Sequence, residues 1–312
     1  MKKILNYVVF YFKEEIKPLY FITALTFAAI CILIQYNFKT ANFYVEHHRQ
    51  EISYFFRAFL LYAIPFIGTL LLYSAFYKKW NIWFNYSFVA LVIFTLIIYT
   101  TRCTITFHNE VIKSYVAPDH QRYWLKISNQ LIHGLILFVL PCIWWWVKEK
   151  KETELYGWRF KDVSLKPYFI FLLFLVPLVA IASTQKDFLK VYPQVANVLK
   201  TEPDHPFASG ALFELSYGFD FLMNEFFFRG FIVLAFVKFI GRGVILPMAL
   251  FYVFIHFGKP LGETISSLFG GLLLGIVAYE TRSIYGGVIL HIGIAWLMEI
   301  GAGLGRFLYL SN

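Results

Sequence analysis

Charged side chains make up only 15% of the 312 residues, whereas 59% are hydrophobic, and a soluble domain carries about a quarter of its residues as charges. With a mean hydropathy of +0.61, the chain has far more apolar surface than a water-soluble core can bury, which excludes a soluble globular enzyme. Cysteine is nearly missing too. Cys31, Cys103 and Cys142 form no CxxC pair and no even-numbered framework, which argues against a disulfide-stapled domain or a thiolate metal centre. Cys31 and Cys142 sit in apolar runs and read as small packing residues. The chain has no internal repeat, no low-complexity tract and no cofactor-binding motif. His47, His48, His108, His120 and His205 lie in expected loops without metal-ligand spacing and read as solvated polar residues, so neither a metal nor a cofactor is expected.

What the chain does have is a succession of apolar stretches, near residues 18–36, 58–76, 84–100, 129–147, 167–184, 209–237, 243–257, 262–280 and 284–305. Most are long enough to cross a hydrocarbon core of about 30 Å as a helix. The expected fold is therefore an all-α polytopic membrane bundle of about nine spans. Placing the N-terminus in the cytoplasm puts slightly more Lys and Arg on the inner side, as the positive-inside rule requires. The excess of 28 basic over 19 acidic residues is spread over short loops, where it suits anionic lipid headgroups rather than nucleic acid. Residues 3–16 read either as an interfacial helix or as a charged lead-in. They do not form a signal peptide, because Lys13 breaks the apolar core and no small-residue cleavage site follows. Trp144, Trp145 and Trp146 before a lysine run mark a span end at the headgroups. The charged stretch 148–166 reads as a cytoplasmic connector between an aromatic N-terminal part, 1–166, and a C-terminal core, 167–312. In that core Ser267, Gly271, Gly275, Gly301 and Gly305 permit close helix packing.

Ionisable residues inside spans are costly, and they mark function. The run Asn224-Glu225-Phe226-Phe227-Phe228-Arg229 places an acid and a base at i,i+4, in the favourable order for an ion pair. His256 follows Phe251-Tyr252-Val253-Phe254-Ile255, just before Gly258-Lys259-Pro260, and His291 lies well inside the last apolar run. A carboxylate and an imidazole are the usual means of deprotonating water near neutral pH, and a second imidazole can donate to a developing oxyanion.

These residues, in this order, resemble the CPBP family of intramembrane endopeptidases, which includes CAAX prenyl proteases and bacteriocin-processing or self-immunity proteins. The resemblance covers roughly residues 150–305. Family motifs EExxxR, FxxxH and HxxxN correspond to Asn224-Glu225-xxx-Arg229, Tyr252-xxx-His256 and His291-xxx-Ala295. The resemblance implies hydrolysis of a peptide bond in a membrane-associated peptide or protein. Glu225, His256, His291 and Arg229 would form the catalytic set, with Asn224 and Tyr252 beside the substrate. Two positions depart from the pattern. Asn224 stands at the first glutamate and cannot act as a base, and Ala295 stands at the oxyanion asparagine and has no donor. Asp220, one turn before Asn224, Glu263 and Glu299 are alternative carboxylates, with Lys259 a salt partner for Glu263. Two other readings stay open: a metal-dependent hydrolase using Glu225, His256 and His291 as ligands, and an inactive relative that binds a membrane protein partner. The resemblance favours a bacterial inner membrane.

Overall fold

The computed structural model describes residues 2–48, 51–150, 154–159, 164–201 and 205–310, so part of the connector 148–166 lies outside the described residues. Among the described residues every regular element is helical. Seven helices are long and apolar enough to cross a membrane: Pro18–Phe38, Tyr54–Tyr77, Tyr86–Tyr115, Pro118–Glu149, Pro206–Phe254, Leu261–Thr281 and Tyr285–Leu308. An eighth arises if Lys166–Ala182 and Lys186–Leu199, bent by 93°, count as one span. The protein is an integral membrane helical bundle, with seven or eight such helices among the described residues. The count differs from the nine expected apolar stretches at Pro206–Phe254, whose 49 residues were read as two runs, 209–237 and 243–257. At 1.5 Å per residue that stretch is about 74 Å long, more than two hydrocarbon cores.

Outward faces are apolar, as lipid contact demands. Leu173 is 70% exposed and Leu33 61%, a waste of hydrophobic area in water but not in acyl chains. The segment 101–128, expected as a loop, is mostly helical: Phe107–Tyr115 forms one helix and Pro118 begins the next. Apolar runs report only the lipid-facing part of a helix, and polar residues such as Gln121 and Lys126 extend it without breaking its hydrogen bonds. His108 is correspondingly buried, with Nε2 2.7 Å from Asn129 Oδ1, and it is not a solvated loop residue. All three cysteines are free thiols.

The chain forms two compact units. One comprises residues 1–104, 139–161 and 226–284, and its core is aromatic. Phe66, Phe88, Phe227, Phe228, Phe231, Phe236 and Phe251 are all fully buried. The helix Leu261–Thr281 lies against Ile245–Phe254 along the small-residue stripe. A Cβ on Gly275 would come within 2.6 Å of Met248 Cε, and one on Gly271 within 3.3 Å of Ala249. The lead-in helix Lys2–Phe10 and the turn after it are tied down by Arg242, which donates to Glu15 Oε1 at 2.7 Å and to Glu280 Oε1 at 2.8 Å. Glu149 is buried, and it accepts from Tyr156 Oη at 2.7 Å and Lys238 Nζ at 2.9 Å. Burial, with this carboxylate alongside, pushes the Tyr156 phenol well above its usual range, so it remains a donor.

The second unit comprises residues 105–138, 162–225 and 285–312. Its last helix, Tyr285–Leu310, packs against Lys166–Ala182 and Pro206–Glu225. Glycines set both contacts. Gly286, Gly293 and Gly301 face Tyr168, Leu172 and Val179 on the first of these helices, and their spacing of seven and eight residues keeps them on one side of the helix.

Candidate functional site

Within the second unit the helices Pro206–Glu225 and Tyr285–Leu310 meet through two stripes of period four. Phe213, Tyr217, Phe221 and Glu225 share one face of the first, and Gly287, His291, Ala295 and Glu299 share one face of the second. The stripes run in opposite directions. Ala295 clusters with Phe213 and Tyr217, the Phe221 and His291 rings lie 4.3 Å apart, and Glu225 meets both His291 and Gly287.

The central contact is a hydrogen bond of 2.9 Å between His291 Nδ1 and Glu225 Oε1. Glu225 is fully buried, whereas the His291 side chain is 17% exposed. An ionised carboxylate only accepts, so Nδ1 carries the proton, and the ring is held in one tautomer and one orientation. Gly287, one turn before His291, makes this possible because a Cβ there would collide with Glu225 Oε2. Sequence reading did not single out Gly287. Its signal was the Gly286-Gly287 pair one turn before an intramembrane histidine.

Position 295, one turn past His291, is enclosed by Tyr123, Ile127, Val198, Phe213 and Tyr217, so it offers an apolar wall where the family pattern has a donor. Asn224 is buried, and its Nδ2 donates to the Asp220 carbonyl at 2.8 Å, a bond within its own helix. Glu299 does a different job from the one considered for it. It accepts the Gln194 and Val195 amides at 2.8 and 3.0 Å, capping the exposed donors at the start of the helix Gln194–Leu199.

The first unit holds the other motif residues. Arg229 lies in a π-helical segment, Phe226–Ile232, held by i→i+5 bonds in place of the i→i+4 ladder. Arg229 is 1% exposed, with its guanidinium carbon 4.1 Å from the centroid of the Tyr252 ring. A desolvated cation over an aromatic face gains about 2 kcal/mol, which partly offsets the burial of the charge. Gly230 lets this segment approach the connector, because a Cβ there would stand 2.6 Å from the Tyr156 carbonyl.

His256 lies just beyond the helix Ile245–Phe254, where the last carbonyls lack intrahelical donors. Its Nδ1 is 2.8 Å from the Tyr252 carbonyl oxygen. A carbonyl only accepts, so Nδ1 is the protonated nitrogen and Nε2 the basic one. The following turn needs a left-handed residue, supplied by Gly258 at φ +93°. Glu263 pairs with Lys259 at 3.6 Å, as its sequence position suggested. Among the described residues no three His, Cys, Asp or Glu side chains are grouped as metal ligands would be.

Residues 209–297 match the family model described as Rce1-like, type II CAAX prenyl endopeptidase. The match spans all three motifs and bears out the resemblance to CAAX-type proteases read from the residues. No curated protein and no solved structure matches the chain.

Proposed function

We propose, from the premise that residues 209–297 are Rce1-like, that the protein hydrolyses a peptide bond of a membrane-associated substrate with water activated by Glu225 and His256. The observation that carries this reading is the 2.9 Å bond joining Glu225 to His291, two motif residues far apart in sequence. A carboxylate has several acceptor sites, so Glu225 can hold His291 and still attract a water proton. The basic Nε2 of His256 takes that proton as the water oxygen attacks the carbonyl carbon, and returns it to the amide nitrogen as the C–N bond breaks and the amine leaves. His291, held by Glu225 through its Nδ1–H, donates to the developing oxyanion from Nε2 once that nitrogen takes up a proton, the role for which Ala295 has no donor. Arg229 contributes a fixed positive field, and Asn224 and Tyr252 border the substrate. The family description points to a prenylated CAAX-type peptide as the first substrate class to try, and the N-terminus is assigned to the cytoplasm of a bacterial inner membrane.

The protein reconstituted in lipid vesicles and given a farnesylated CAAX peptide tests this. Glu225→Gln and His256→Ala are each expected to slow cleavage by about 10²–10⁴-fold, the usual worth of a general acid or base. Cleavage by either variant at the rate of the unsubstituted protein would overturn the reading. A second reading, binding of a membrane partner without turnover, is favoured by the apolar enclosure of Ala295 and the internal bond of Asn224. It expects no cleavage by any form and an intact biological function in His256→Ala.

A further inference from the structure

The turn that carries His256 is held by two hydroxyl groups outside the motifs. Thr264 is fully buried, and its Oγ1 donates to the His256 carbonyl at 2.8 Å. Tyr36 Oη lies 2.6 Å from Thr264 Oγ1 and 2.6 Å from the Lys259 carbonyl. Six carbonyls around this turn have assigned donors. Phe251 accepts from the Ile255 amide, Val253 from the His256 amide, and Phe254 from the Phe257 amide. Tyr252 is left to the imidazole, His256 to Lys259 N and Thr264, and Lys259 to Tyr36. The imidazole thus closes the helix end, and the Thr264 and Tyr36 hydroxyls close the turn that presents it.

We propose that Tyr36 and Thr264 are positioning residues that fix the tautomer and direction of the His256 ring. This rests on the reading of His256 as the proton acceptor. Without the Thr264 hydroxyl, the His256 carbonyl loses its side-chain donor and keeps the Lys259 amide at 3.0 Å. The 255–260 turn then loosens, and Nδ1 is no longer committed to Tyr252. Tyr36 lies more than two hundred residues from its partners in sequence, so no motif scan connects it to them.

The test uses full-length protein in lipid nanodiscs, with isotope-labelled histidine and the farnesylated CAAX peptide as probe. In the unsubstituted protein the His256 imidazole is expected to show the Nδ1–H tautomer alone. Thr264→Val is expected to give a mixture of tautomers and a fall in kcat on the order of tenfold to a hundredfold with KM unchanged, and Thr264→Ser to restore both. Tyr36→Phe, which keeps the ring and removes only the hydroxyl, is expected to move the same signals in the same direction and serves if Thr264→Val does not fold. An unaltered His256 tautomer in folded Thr264→Val or Tyr36→Phe overturns the proposal, whether or not cleavage falls. A tautomer shift in a protein that never cleaves the probe upholds the positioning and counts against the hydrolytic reading instead.

Discussion

Glu225 and His291 depend on a missing side chain: only glycine at 287 leaves space for the carboxylate. Gly287→Ala is therefore expected to break the Glu225–His291 bond and reduce cleavage at least about 100-fold, comparable to loss of a catalytic group. Peptide turnover, together with the His291 imidazole signals, reads the outcome. Tyr252 acts through two different atoms, its ring under Arg229 and its carbonyl on His256 Nδ1. Tyr252→Phe keeps both and is expected to turn over within about twofold of the original. Tyr252→Leu keeps only the carbonyl and is expected to lose thermal stability by about 2 kcal/mol, the worth of the cation–π contact. At position 295 the apolar enclosure means that restoring the family's asparagine is expected to cost about 1–3 kcal/mol for an unpartnered amide and to bring no gain in rate. The residues proposed for the chemistry stood out in the sequence because an acid, a base or an imidazole in an apolar run has few other reasons to be there. Gly287, Thr264 and Tyr36 were not, because a glycine, a threonine or a tyrosine in a membrane helix is ordinary until its neighbour is known.

The helix Leu261–Thr281 shows what period alone can reveal. Ser267, Gly271 and Gly275 stand four apart, and that spacing marked a close helix contact without saying with what. The partner proved to be Ile245–Phe254, the helix that precedes His256. Gly275→Leu is expected to push the two helices apart and to destabilise the protein by about 1–3 kcal/mol through overpacking, read as a lower unfolding temperature in detergent. Helix ends were harder to place. Hydropathy follows lipid contact, so the polar start of Pro118–Trp144 went unseen, and the 49-residue Pro206–Phe254 stretch read as two runs. The π-helical turn around Arg229 carries no compositional mark, since bulky phenylalanines suit an α-helix nearly as well. It matters here because it changes which side chains follow one another around the axis, and such turns recur at functional sites.

For the molecule as a whole, composition alone was enough to assign a membrane bundle, because so apolar a chain has nowhere else to place its surface. The pairing of the first and third motifs depends on long-range packing that no local pattern encodes, as the Glu225–His291 bond illustrates. The proposed orientation, with the N-terminus in the cytoplasm, rests on the slight excess of Lys and Arg that it places on the inner side. A reporter enzyme that is active only outside the cell is expected to be silent when fused at the N-terminus, and an active fusion would reverse the assignment. The account depends most on peptide-bond hydrolysis by the Glu225 centre. Comparing new protein termini in membranes of cells that make either the unsubstituted chain or Glu225→Gln measures this without presuming a substrate. The account predicts a set of cleaved ends present with the former and missing with the latter, and identical termini in the two membranes would contradict it.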